Sequence, residues 1–254
     1  MKQTTIVEKT KVKLGKNSVL IVGLPGIGLI GRVVGRYLAE ELKAKKIADV
    51  FSPHFPHQVF MTKKGGMRLI NNRIYQIKAK KHTLFLLTGD IQAMSTIGQY
   101  EVATTVIEYA KKLGVSLIVT VGGYSTGKVT EDRKIFGVTT SKKLLAKFKK
   151  LGVVFGEAKG SIVGAAGLLP AIGRLHSLPG ICVMAETHGG YVDVTAAKNV
   201  VLLLSRCFEF AIDMKKIEEK AKESETMLKK IESEVQKTMI TPYEAEGKGI
   251  SYIR

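Results

Sequence analysis

With 254 residues and 45% hydrophobic content, the chain has the length and apolar mass for one large domain with a proper core, and it lacks the run of about 18 apolar residues that crosses a membrane. Lys and Arg outnumber Asp and Glu by 40 to 22, a net charge of +18, which favours nucleic acid, an acidic protein or an anionic surface as partner. The lysines are scattered and not interleaved with aromatics, and no nucleic-acid-binding motif is present, so specific nucleic-acid binding is not expected.

The opening segment, Met1 to Asn17, is polar and has no apolar leader run, which fits a cytoplasmic protein. Ser18 to Gly23 (SVLIVG) is an apolar run closed by glycine, the pattern of a buried strand. A helix is predicted from Gly26 to Lys43, with Ile27, Ile30, Val34, Leu38 and Leu42 as its stripe. Ile47 to Phe51 reads as a short strand, and the two prolines and Gly-Gly pair that follow make a loop. Arg73 to Lys78 alternates, as a half-exposed strand does, and Thr83 to Thr88 is continuous and apolar, as a central strand is. Ile97 to Leu113 is a helix that Gly114 stops.

Ser116 to Val121 repeats the central-strand pattern; Lys134 to Thr139 is a further strand, and Ser141 to Leu151 a lysine-rich helix with Leu144, Leu145 and Phe148 facing in. Val163 to Leu175 is a helix carrying Pro170, and Gly180 to Ala185 a last strand. Strands alternating with helices predict a three-layer αβα sandwich with a mostly parallel central sheet, with the segments at Arg73 and Lys134 pairing antiparallel at its edges. From Cys207 to Thr238, apolar residues recur at steps of three and four, which predicts a long amphipathic helix over 206–240. Between Arg206 and Lys237 eight basic and eight acidic residues cancel, so the positive charge lies elsewhere. The tail 241–254 is polar and flexible in composition but ends in Ile250, Tyr252, Ile253 and Arg254, which suits a peptide anchor for a partner protein. The division is therefore 1–205, 206–240 and 241–254.

Cys182 and Cys207 sit in apolar surroundings and read as buried free thiols. No Cys/His spacing of the zinc type occurs, and neither a metal nor a cofactor is expected; His54 and His57, three apart in a proline-bound loop, are the weak exception. Gly26, Gly28 and Gly31 satisfy G-x-G-x-x-G after a strand, and Asp49 follows at 18 residues, near the place of a ribose-binding acid. The same glycines also serve close packing of a helix on a sheet, so a nucleotide or phosphate-containing substrate at this loop is the alternative reading. Asp90 and Gln92, and Glu186 and His188, follow strands where acid–base groups commonly stand, yet no serine lies in a nucleophile elbow and no catalytic residue is assigned.

Five blocks occur in a fixed order: GLPGIGLIG (Gly23 to Gly31), GDIQAMSTIGQYEV (Gly89 to Val102), VGGYSTG (Val121 to Gly127), GSIVGAAGLLP (Gly160 to Pro170) and ETHGGYVDVTAAK (Glu186 to Lys198). In order and character they resemble the proteasome assembly chaperone 2 family, in its archaeal form, over Val19 to Val201. The resemblance implies an α/β sandwich, no catalysis, self-association and a scaffold or assembly role linked to the proteasome. Members that dock on the proteasome end with tyrosine second from last; here Tyr252 is third from last, a departure of one residue. The expectation is a non-catalytic, self-assembling scaffold that recruits a protein through its C-terminal helix and tail. The loops at Gly26, Gly28, Gly31, Asp90, Gln92, Gly122, Gly123, Glu186 and His188 would serve packing within and between copies.

Overall fold

A computed structural model describes residues 1–10, 12, 17–79, 81–128, 130, 132–213 and 215–219. Among these residues the strands and helices follow one another in the order β1 (Thr5–Glu8), β2 (Ser18–Gly23), α1 (Ile30–Glu41), β3 (Lys45–Phe51), β4 (Val59–Met61), β5 (Met67–Leu69), β6 (Asn72–Lys78), β7 (Thr83–Gly89), α2 (Thr96–Lys112), β8 (Val115–Ser125), β9 (Ile135–Thr139), α3 (Lys142–Lys150), β10 (Val154–Phe155), α4 (Ala165–Leu175), β11 (Gly180–Thr187) and α5 (Val194–Phe208). Nine strands make one sheet in the order β1-β3-β6-β7-β2-β8-β11-β9-β10, and β4 and β5 form a separate hairpin.

The centre β7-β2-β8-β11 is parallel. Its strands are the continuous apolar runs, buried on both faces. Both flanks turn antiparallel, at β6 against β7 and at β9 against β11. The segments at Arg73 and Lys134 thus pair antiparallel as expected, but they are not edges: β3 and β1 lie outside β6, and β10 lies outside β9. Helices α1, α3 and α5 cover one face, and α2 and α4 cover the other, giving the three layers.

Local chemistry explains most boundaries. Ser95 caps α2 by accepting from the Gly98 N–H at 3.1 Å, and Gly114, at φ 70°, ends it. Helix α4 tolerates Pro170 in its interior because of a neighbour. The missing Pro170 N–H would have served the Ala166 carbonyl; Thr120 Oγ1 of β8 donates to that carbonyl instead, at 2.6 Å. Thr120→Val should therefore cost about 1–3 kcal/mol, the penalty of a buried acceptor left unsatisfied, measured as a lowered midpoint in urea unfolding.

The predicted C-terminal helix is corrected at its start. Cys207 belongs to the last turn of α5, and Glu209, at φ 55°, breaks the helix there. The chain then folds back: Ser205 Oγ donates to the Phe210 carbonyl at 2.6 Å, Tyr37 Oη donates to the Asp213 carbonyl at 3.0 Å, and Phe210 and Ile217 are buried in the main core. A three-four spacing continues through 209–213, but spacing alone does not register a left-handed residue between two helical stretches. The remainder of the seam, and the tail with Ile250, Tyr252, Ile253 and Arg254, lie outside the described residues.

Candidate functional site at the carboxyl edge of the parallel strands

Strands β2, β7, β8 and β11 end side by side at Gly23, Gly89, Ser125 and Thr187, and the five glycine-bearing blocks meet along this edge. After β2 the chain runs Leu24-Pro25-Gly26 into a 3₁₀ turn, Ile27–Leu29, with Gly28 at φ 62° and Leu29 at φ 50°. Helix α1 therefore starts at Ile30, four residues later than the stripe predicted. Gly31 faces the sheet so closely that an added Cβ would stand 2.5 Å from the Leu24 carbonyl oxygen and 2.8 Å from that of Val121. At Gly123 an added Cβ would stand 2.5 Å from the Ile27 carbonyl oxygen. The space that these residues vacate is filled by the protein's own backbone.

Gln92, just past β7, is the brace of the edge. Its Nε2 donates to the Pro25 carbonyl at 2.6 Å, and its Oε1 accepts from the Ala165 N–H at 2.8 Å. One side chain thus ties the glycine loop to the first turn of α4, where an orphan N–H needs an acceptor. Above it opens a cleft of about 750 Å³, walled by β8, α4 and the 158–163 loop. Gly122 forms part of its floor, with the Ala166 Cβ and Met184 Cγ 3.6 Å from where its own Cβ would be. Among the described residues the lining is mostly apolar side chain and backbone, joined by the polar side chains of Gln92, Tyr124, Ser125 and Ser161, with Lys159 as its one charged residue and no Asp, Glu, His or Cys. Tyr124 Oη accepts from the Lys159 N–H at 3.3 Å, and Ser125 Oγ donates to the His188 carbonyl at 2.8 Å.

Asp90 does not face this cleft. It turns toward β5 and β6, accepting from Arg68 Nη1 at 2.6 Å, from Arg73 Nη2 at 3.4 Å and from the Asn71 N–H at 3.3 Å. Burial pushes its carboxyl up, but the Arg68 and Asn71 hydrogen bonds and the two guanidiniums outweigh that and hold it below its ordinary value. Glu186 and His188 stand on the other side of β2 and β8. Glu186 accepts from the Lys134 N–H at 3.3 Å, and the His188 ring stacks on Tyr191 with centroids 5.4 Å apart. Three strand spacings, about 14 Å, separate β7 from β11, so Asp90 and His188, although each follows a strand, do not meet as an acid–base pair.

Asp49 is corrected likewise. It lies in β3, three strands from β2 across β7 and β6, and is held by Lys46 at 3.1 Å and by Asn71 Nδ2 at 2.9 Å. It cannot reach a ribose bound at Gly26 to Gly31, because the second strand of this fold is not laid beside the first. His54 Nε2 meets Glu101 Oε2 at 3.1 Å and its Nδ1 lies 3.4 Å from Ser95 Oγ, while His57 is exposed. Among the described residues no group of three or more His, Cys, Asp or Glu is placed to hold a metal ion. Both cysteines are buried and free, and burial pushes the Cys182 thiol up to about 11.

Glu101 carries the N-terminal strand's anchor. The Thr4 N–H and Oγ1–H both donate to its Oε1, at 2.6 Å each, and these bonds, chiefly the hydroxyl's, hold the carboxyl below its ordinary 4.5. A carboxyl depressed in the folded state stabilises above its unfolded pKa and loses that contribution as pH falls through the folded value. Thr4→Val should therefore be less stable than the wild type at neutral pH, and the two should converge as pH drops below 4.5. Thermal melts across pH 2–7 would check this; a constant gap down to the lowest pH would refute it.

Sequence reasoning missed the most buried ion pair of the site. Arg133 Nε bonds Asp193 at 3.1 Å. Asp193 also accepts from Thr187 Oγ1 and from the Ala196 N–H, each at 2.9 Å, and so caps α5. The signal was present: an aspartate before an apolar helical run is a start mark, inside the fifth block.

The comparisons agree with this architecture. A Pyrococcus furiosus protein, PbaB, described as an archaeal proteasome activator, has a solved structure that superposes with a TM-score of 0.85 at 36% identity, covering 91% of this chain and all of that one. P. furiosus PbaA, an archaeal homolog of proteasome-assembly chaperone, shares the fold with a TM-score of 0.76 at 24% identity, over 94% of this chain and 95% of its own. An uncharacterized protein of Methanocaldococcus jannaschii is 38% identical over 216 residues, 85% of this chain and 83% of that protein. The PAC2 family profile matches residues 20–232, which bears out the resemblance seen in the five ordered blocks: the chain belongs to the PAC2 family.

Proposed function

We propose that the protein is a non-catalytic, self-assembling scaffold that serves proteasome assembly or activation and engages its partner through the C-terminal segment. The observation that carries this reading is the 36% identity to PbaB, an archaeal proteasome activator, across the whole of that chain. The edge of the sheet supports it. The space beside Gly23, Gly31 and Gly123 is taken by backbone, the brace residue Gln92 has both polar ends engaged within the protein, and among the described residues the cleft holds no acid or imidazole.

Self-association is supported by exposed apolar side chains. The hairpin β4–β5 presents Val59, Phe60, Met61, Met67 and Leu69, and the cleft rim presents Ile27 and Val163. Apolar surface gathered in this way marks a contact site more often than an isolated exposed leucine does. The expected result of sedimentation on the full chain is a stable oligomer; a clean monomer at micromolar concentration would count against the scaffold. Incubation with an archaeal 20S proteasome should give co-sedimentation or a changed peptidase rate. Deletion of residues 249–254 should leave the oligomer intact and abolish that effect. Unchanged engagement would remove the tail from the mechanism.

A further inference from the structure

On the face that carries α1, no helix among the described residues covers the sheet beyond β7. There α1, β5 and β6 enclose a second cleft, of about 360 Å³, which is separate from the one at the carboxyl edge. Arg32 and Arg36 of α1 form one wall, Arg68 of β5 and Arg73 of β6 the other, with Thr88 and Asp90 at the end of β7 between them. Four guanidiniums meet two lining carboxylates, Asp90 and Glu40, which leaves a net of two positive charges (4 − 2).

The second wall is rigid before any ligand arrives. Asp90 takes Arg68 as a fork, at 2.6 and 3.3 Å, and Arg73 at 3.4 Å on the same oxygen. The Phe60 ring stacks under Arg68, 4.3 Å from Cζ to centroid. The first wall is a like-charge pair one turn apart on a helix, an arrangement in which the two charges repel each other. Arg36 has only the exposed Glu40 at 3.6 Å, and Arg32 makes no ion pair among the described residues. Beneath both, the Thr88 hydroxyl is buried with no hydrogen-bond partner.

Guanidinium forks match the oxygens of phosphate groups and shed their water more readily than ammonium does. Two facing arginine pairs across one concavity call for an anion with charge at both ends. We propose that this cleft binds a compact polyanion carrying two or more phosphate groups, gripped between Arg32/Arg36 and Arg68/Arg73. The site is independent of the scaffold reading and of the glycine loop at Gly26 to Gly31.

The test is calorimetry and thermal melting of the full chain with inorganic tripolyphosphate, beside orthophosphate and sulfate at matched ionic strength. A ligand that binds only the folded state raises the melting temperature by mass action. Tripolyphosphate should do so, with affinity about tenfold or more above either single-centre anion. The double variant Arg32→Gln/Arg36→Gln, at positions whose loss should leave the fold intact, should reduce that affinity by about tenfold or more, since each tenfold is only about 1.4 kcal/mol. Lys149→Gln/Lys150→Gln, exposed on α3, should bind as the wild type does. Three results would overturn the proposal: equal responses to tripolyphosphate and sulfate, undiminished binding in the arginine double variant, or an equal loss in the lysine control. The last would mean that the overall charge of the chain is being read and not this cleft.

Discussion

Asp193→Ala should cost about 3–5 kcal/mol of folding stability, the largest effect of any single substitution at the carboxyl edge. The carboxylate is almost wholly buried, with 2% of the side chain exposed, and Arg133 opposite it is 7% exposed. Removing the acid takes away the carboxylate that pairs with the guanidinium Nε, at a depth where water does not replace it. The same change strips the cap from α5, since the Ala196 N–H loses its acceptor, a loss of about 1 kcal/mol by itself, and it frees Thr187 at the end of β11. These losses share one carboxylate, so they do not add simply. Asp193→Asn discriminates among them: it keeps a capping oxygen and removes the charge, and should fall between alanine and the wild type. Urea unfolding of all three would decide. A midpoint for Asp193→Ala within error of the wild type would show that the pair contributes nothing.

Gly31→Ala should cost about 2–3 kcal/mol, although it adds only one methyl group and improves helix propensity by roughly 1 kcal/mol. The methyl has nowhere to go. Its nearest neighbours would be the carbonyl oxygens of Leu24 and Val121, at 2.5 and 2.8 Å, and main-chain oxygens in a loop and a central strand cannot swing aside as a side chain can. The cheapest relief is a shift of α1 off the sheet, which would loosen Ile30, Val34 and Leu38 from the core they share with α5. Gly26→Ala is the internal control. An added Cβ there meets only Gln92 Nε2, at 3.8 Å, an ordinary contact, so it should change stability by less than about 0.5 kcal/mol. If both variants unfold alike, glycine at position 31 is not a packing requirement and the loop's sequence needs another explanation.

The elements that could be read from sequence were those whose signal is carried by neighbours along the chain. SVLIVG and TLFLLTG announce buried strands because both faces must be apolar in a covered parallel sheet. Helix α2 was legible to within a residue at each end through its stripe and Gly114. Helix α5 was not, because Gly189 and Gly190 give the start of ETHGGYVDVTAAK the composition of a loop, and the capping Asp193 stands only three residues beyond them. Strand β1, with one partly buried residue among four, carries almost no apolar pattern; its partner β3 and the anchor of the preceding Thr4 on Glu101 both lie far along the chain.

By itself, the sequence determined the family, the three layers and the edge on which the glycine blocks gather, since apolar period and block order are written in consecutive residues. Only the tertiary structure decided what those residues face. Strand order set Asp90 apart from Glu186 and His188, placed Asp49 three strands from the loop to which its spacing pointed, and brought arginines from α1, β5 and β6 around one cleft. The physical reason is that pairing across a sheet depends on which strands exclude water best together, and contacts between residues distant in sequence leave no periodic trace along the chain.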